Sequence, residues 1–180
     1  MFPENYSNKL IYVSSAASTS TSEIKLGPKD LVFDSNFESG NLLKAFVARD
    51  QEYDLWLNAD HGMDNQRQWF FFSVKNMESA VFYKFNILNN EKKDSQFGKG
   101  MQPVIYSMKE AIQGNPTWRR TGRNITYSRN NFKNRVGKHH YTVSFEIEFP
   151  HENDTCYVAY HYPFTYSRLK ADISQISGKL

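Results

Sequence analysis

The chain is 180 residues long, enough for one domain with tails and for a core that needs no staples. Its 22 Lys and Arg against 19 Asp and Glu leave a net charge of +3, too slight to mark a nucleic-acid binder by itself. Cys156 is the single cysteine, which excludes an internal disulfide. No basic start runs into an apolar stretch, and no apolar stretch approaches membrane-spanning length, so an intracellular, soluble protein is expected. Aromatic residues reach 16%, mostly Phe and Tyr, which suit pleated, half-buried surfaces. Glycosylation triplets at Asn5, Asn124 and Asn153 matter only in a secreted protein.

Residues 1–25 carry a Ser/Thr/Ala run and are expected to form a flexible leader, with Ile11-Tyr12-Val13 as a possible edge strand. The domain is expected to occupy residues 26–168. Leu31-Val32-Phe33 reads as a short strand, and a turn-rich connector follows from Asp34 to Asn41. Leu42 to Ala48 and Tyr53 to Asn58 read as strands joined by a hairpin loop, Arg49 to Glu52. Gln68 to Val74 is apolar on both faces, which places it inside a sandwich. In Ala80 to Leu88, Val81, Tyr83, Phe85 and Ile87 share one face. A polar loop over 89–100 precedes a strand at Val104 to Met108. Short strands are expected at Thr117 to Arg120 and Ile125 to Tyr127, then a basic loop from Asn130 to Lys138.

Tyr141 to Phe149 alternates cleanly: Tyr141, Val143, Phe145, Ile147 and Phe149 face one way, and Thr142, Ser144, Glu146 and Glu148 the other. A short polar break, His151 to Asp154, leads to Thr155 to Pro163, and the spacing predicts a hairpin between the two runs. The tail turns helical: Tyr166, Leu169, Ile173 and Ile176 fall on one helical face, with Thr165 or Ser167 as cap. The helix, with a linker, is assigned to 169–180. The fold class expected is all-β, an antiparallel β-sandwich with a short C-terminal helix.

Several phrases stand in a telling order: Phe37-Glu38-Ser39-Gly40-Asn41-Leu42, Gln68-Trp69-Phe70-Phe71-Phe72, Gly100-Met101-Gln102-Pro103, Tyr106-Ser107, and Tyr160 through Ser167. With them the chain resembles the N-terminal domain of cytosolic carboxypeptidases, from about Leu31 to Leu169. Those are zinc metallocarboxypeptidases that trim glutamates from tubulin and other proteins. The resemblance implies a cytoplasmic β-sandwich placed before a catalytic domain that holds the zinc ligands, a His-x-x-Glu pair and a distant His. That domain is expected to begin beyond Leu180, so no catalytic residue, metal ligand or cofactor is assigned to this chain. The implied partners are its own catalytic domain and polyglutamate-bearing proteins such as tubulin; no membrane or nucleic-acid partner is expected.

Within the chain, His61 and Asp64, like His151 and Asp154, have His-x-x-acid spacing but no third ligand, and read as polar loops. His139 and His140 open a strand and should face opposite sides. Cys156 lies among Tyr157 and Val158, and His161 falls on the opposite face, so a buried structural thiol is expected. Between Glu110 and Glu146 no acidic residue occurs, while Arg119, Arg120, Arg123, Arg129, Lys133, Arg135 and Lys138 do, with Trp118, Tyr127 and Phe132 interleaved. This run is either a set of solvated loops or a docking surface for acidic tails, since arginine pairs well with carboxylates. Tyr162, Phe164, Thr165 and Tyr166 are candidates for contact with the catalytic domain, and without that partner they should leave an apolar patch exposed. The alternative function is a free-standing module for carbohydrate or peptide, favoured if Trp56, Trp69 or Trp118 line up exposed on one face.

Overall fold

A computed structural model describes residues 6–15, 24–60, 62–63 and 66–178. In chain order the elements are β1 (Lys9–Val13), β2 (Val32–Asp34), β3 (Leu42–Arg49), β4 (Glu52–Leu57), β5 (Phe71–Lys75) and β6 (Phe82–Asn90). They continue with a 3-10 turn at Gln96–Lys99, then β7 (Val104–Ser107), α1 (Met108–Ile112), β8 (Arg119–Arg120) and β9 (Arg123–Lys133). The chain ends with β10 (His139–Glu148), β11 (Cys156–Ala159) and α2 (Tyr166–Ser177).

Two sheets form, in the orders β1-β3-β4-β6-β10-β9 and β2-β5-β11-β7-β8. Their pairings are antiparallel apart from β4 with β6, which is parallel. A parallel neighbour needs a crossover. Here the chain leaves β4, builds β5 in the other sheet, and returns as β6.

The two sheets face each other across an aromatic core. Phe85 and Phe145, in the six-stranded sheet, meet Phe72 and Phe70, with ring centroids 6.0 Å (Phe72 to Phe85) and 5.9 Å (Phe70 to Phe145) apart. The alternation in β6 and β10 is spent here: Tyr83, Phe85, Ile87, Val143, Phe145 and Ile147 are all buried in one cluster. β5 lies between β2 and β11, and its residues 71–74 are buried on both faces, as its unbroken apolar run requires. The Phe72–Phe85 pair is tilted and the Phe70–Phe145 pair stacked, and aromatic pairs at these distances stabilise beyond simple area burial.

Several expectations meet a different structure. The runs at Tyr141–Pro150 and Thr155–Pro163 form no hairpin: β10 pairs with β6 and β9, while β11 pairs with β5 and β7 in the opposite sheet. Alternation tells which face of a strand is buried but not which strand lies beside it, and both runs bury a face in the same core. The connector crosses from sheet to sheet with Asn153 at φ 48°, its N–H donating to Met77 O at 2.9 Å. Lys9–Val13, inside the expected leader, is an edge strand on β3 with Ile11 buried. The Ser/Thr/Ala run over 16–23 lies outside the described residues.

The short strand and basic loop expected over 125–138 are one strand, β9, turning at 134–138 into β10. β9 alternates only over Asn124 to Ser128, where Ile125 and Tyr127 pack on the core, and its second half is mostly polar. Polar bonds partly replace packing: Asn130 Nδ2 donates to Leu88 O at 2.7 Å and to Thr142 Oγ1 at 2.8 Å. The expected loop at 89–100 contains the 3-10 turn, which drives Phe97 into the core. α2 begins at Tyr166 rather than 169, because Thr165 Oγ1 accepts from the Arg168 N–H at 3.2 Å.

Candidate functional site

The chain leaves the sandwich after β11 through an aromatic exit. Tyr162, Phe164 and Tyr166 are 46%, 63% and 66% exposed, and α2 buries none of its residues, leaving Ile173 and Ile176 in solvent. Leu169, also exposed, lies on the same helical face. The helix is nevertheless fastened to the sandwich: the Ser167 N–H donates to Glu38 Oε1 at 2.8 Å. That backbone bond, first among several, holds the Glu38 carboxyl below its usual range. Beside the helix lies an open groove of 640 Å³, lined by Ser39, Gly40, Asn41, Trp69, Tyr162 and Phe164 among others. Trp69 is fixed there by its Nε1, which donates to Ser39 O at 3.0 Å. Of the four residues expected at an interdomain contact, three present apolar surface, and Thr165 spends its hydroxyl on the helix cap.

The seven basic candidates do not form one patch. Arg119 pairs with Glu110. Arg120 Nη1 donates to Gln102 O at 2.5 Å, and its guanidinium lies 5.6 Å from the Tyr162 ring, so it braces the exit. Arg123 donates through Nε to Glu146 Oε2 at 2.9 Å and stacks 3.2 Å over the Phe82 ring. Hydrogen bonds from Asn124 and then Arg123 hold the Glu146 carboxyl below its usual range. Arg120 and Arg123 therefore line a 500 Å³ depression that also holds Glu146 and Glu148, a surface of mixed sign. Farther along β9 and its turn, Arg129, Lys133 and Lys138 are exposed and make no ion pair among the described residues. Arg135 is exposed and engaged by an intramolecular contact. A strand rises about 3.3 Å per residue, so Arg123 and Lys133 stand roughly 30 Å apart.

Among the described residues no three His, Cys, Asp or Glu side chains converge to hold a metal ion. His151 Nε2 sits 3.9 Å from Glu110 Oε1, and His61 and Asp64 lie outside the described residues. His140 is buried and His139 half-buried at the start of β10. The groups present therefore do not fit a zinc site. Cys156 is fully buried, its Sγ 3.3 Å from Asp154 Oδ2, and burial first, then that carboxylate, pushes the thiol far up. No helix among the described residues is long and apolar enough to cross a membrane.

A family model for the cytosolic carboxypeptidase N-terminal domain matches residues 33–161, most of the chain and all of the core strands from β3 to β11. The chain belongs to this family. It is 51% identical over 146 residues to mouse cytosolic carboxypeptidase 4, covering 77% of this chain and 13% of that protein. To zebrafish cytosolic carboxypeptidase 1 it is 48% identical over 157 residues, covering 83% and 14%. The chain thus spans about one-seventh of the length of these relatives. Two solved metallo-carboxypeptidases share the fold. The enzyme from Burkholderia cenocepacia gives a TM-score of 0.54 at 16% identity, over 82% of this chain and 33% of that one. The Pseudomonas aeruginosa enzyme, solved with (2-guanidinoethylmercapto)succinic acid, gives 0.51 at 19%, over 81% and 33%.

In this cytosolic carboxypeptidase N-terminal domain the three tryptophans form no row. Trp56 is buried on the outer face of the six-stranded sheet with Phe46 and Leu88. Trp69 and Trp118 pack on the outer face of the five-stranded sheet around Phe71. Trp69 and Trp118 share that face but are half-buried against Phe71, so no exposed row of tryptophans forms among the described residues. Sequence reasoning missed the bracing role of Arg120 and the groove at Trp69. Neither has a local signal, since both depend on segments brought together from opposite ends of the domain.

Proposed function

We propose that this chain is a noncatalytic module of a cytoplasmic zinc carboxypeptidase that removes glutamates from proteins such as tubulin. The module supports the catalytic domain's fold and helps dock acidic tails. The observation that carries this reading is the aromatic exit, Tyr162 to Ile176, exposed at the end of a sandwich of this family. Exposed apolar surface gathered at the point where the chain leaves the domain suits a neighbour rather than water. The zinc is assigned to that neighbour, in line with the carboxypeptidase relatives of this chain. Isolated, the chain is expected to release no glutamate from a glutamate-tailed peptide and to bind no stoichiometric zinc by calorimetry. Turnover or a tight one-to-one zinc isotherm would refute the assignment.

For the docking role, the groups available to a partner are Arg129, Lys133 and Lys138 rather than the internally paired Arg119 and Arg123. Reversing all three to glutamate is expected to weaken binding of a glutamate-rich peptide about tenfold at low salt, about 0.5 kcal/mol for each exposed pair. The difference should shrink at high salt as screening takes over. Equal affinity of wild type and variant at low salt would leave these groups as solvated charge alone.

A further inference from the structure

The longest described strand has a partner on one side only. β9 ends the six-stranded sheet and runs for 11 residues, whereas the other sheet edges, β1, β2 and β8, have 5, 3 and 2. The 3-10 turn at Gln96–Lys99 packs against β9 at Tyr127, but no strand is hydrogen-bonded to its outer side. An edge without a strand partner is a template for another strand unless something blunts it. The pairing of β9 with β10 is regular from Thr126 to Arg129 and shifts register on either side, with Asn124 at φ 51°. Those irregularities limit the open edge to its middle. In that middle Thr126 and Ser128 are small and exposed, and Arg129 is exposed. Beyond it come Lys133 and Lys138, in a stretch from 111 to 145 without one acidic side chain.

We infer that β9 is the seat of an extended acidic peptide that adds itself to the six-stranded sheet as a further strand. Its backbone pairs along Thr126 to Arg129 and its carboxylates meet Arg129, Lys133 and Lys138. This deepens the docking role proposed above and rests on it. Backbone pairing gives affinity that is indifferent to side-chain identity, and the charges select which extended chains come. A second copy of this chain is the wrong occupant, because an antiparallel β9 pair would set Arg129 opposite Thr126 and bring no carboxylate to the basic run, which has no acidic residue from 111 to 145. Single-stranded nucleic acid needs free aromatic faces for its bases. Here Tyr127 is stacked on Tyr141, centroids 5.7 Å apart at 4°, with its hydroxyl bonded to Lys92 O. Phe132 packs against Trp56 at 5.2 Å.

The test compares two glutamate-rich peptides of about six residues, long enough to cover the regular edge. One is unmodified. The other is methylated at alternate backbone nitrogens, which keeps every carboxylate and removes the donors an added strand needs. The intact chain is expected to bind the methylated peptide at least about tenfold more weakly. Only the unmodified peptide should slow amide exchange at Thr126 to Arg129. Equal affinity for both would overturn strand addition while leaving the docking role in place. No binding of either would overturn both. Tighter binding of a single-stranded oligonucleotide of equal charge would overturn the assignment of the occupant.

Discussion

Replacing Phe85 with alanine is expected to lower the unfolding free energy by about 4 kcal/mol, the upper part of the range for a buried ring cut to a methyl group. Phe85 is fully buried in mid-β6, where the two sheets meet. Its ring lies within 5.7 to 6.3 Å of those of Phe33, Tyr53, Phe72, Phe145 and Phe149. Those neighbours come from both sheets and from the crossing segment after β10, so the void cannot be closed by one strand moving in. The loss is a large share of a domain stability of roughly 5–15 kcal/mol. Phe164→Ala, at the exposed exit, serves as the control and should change stability by less than about 0.5 kcal/mol. Equal effects in chemical denaturation would contradict the division into core and exit.

The second large effect is expected at Asp154, a carboxylate buried where the crossing segment enters β11. It accepts from Ser107 Oγ at 2.5 Å, from the Thr155 N–H at 2.6 Å, from the Lys109 N–H at 3.0 Å and from Cys156 Sγ at 3.3 Å. Ser107 also caps α1, its Oγ accepting from the Glu110 N–H at 3.1 Å. One side chain thus ties the end of β7, the start of α1 and the start of β11. Asp154→Ala strands several buried donors at about 1 kcal/mol each, so a loss of roughly 3 kcal/mol is expected. Asp154→Asn should lose less, since its carbonyl keeps part of the network while its amide opposes the N–H donors. A loss below about 1 kcal/mol for the alanine variant, in the same denaturation experiment, would show that the knot is dispensable.

How far these features were legible in the sequence depended on how local their cause was. The alternation of Val81 to Ile87 and of Tyr141 to Phe149 marked the core faces correctly, because burial of one face is written into every second residue. α2 was readable from its spacing, but its start was not: Thr165 and Ser167 both offered a cap, and Thr165 takes it. The exposed aromatics Tyr162, Phe164 and Tyr166 also stand out in the sequence, since they follow directly on the last strand. Gly40 belongs to one of the family's phrases for a reason the structure supplies: a Cβ there would come 2.3 Å from Ser35 O. What depended on distant partners was not readable. Cys156 to Ala159 could have paired with β10 by pattern, and the crossing at Asn153 sends it to β5 and β7 instead. Asn130 to Lys133 reads as loop because its polarity matches loop composition; it is strand because β10 offers it a ladder. The basic run looked continuous in sequence, yet Glu110 and Glu146, the two acids that bound it, neutralise Arg119 and Arg123 from within.

If the sandwich serves a catalytic neighbour through its aromatic exit, amide hydrogen exchange measured on this chain alone and on the whole carboxypeptidase will show it most directly. Tyr162 to Ser177 is expected to exchange quickly in the isolated chain and to gain strong protection in the whole protein, while β5, β6 and β10 are slow in both. Exchange at Tyr162 to Ser177 that is equally fast in both proteins would contradict it.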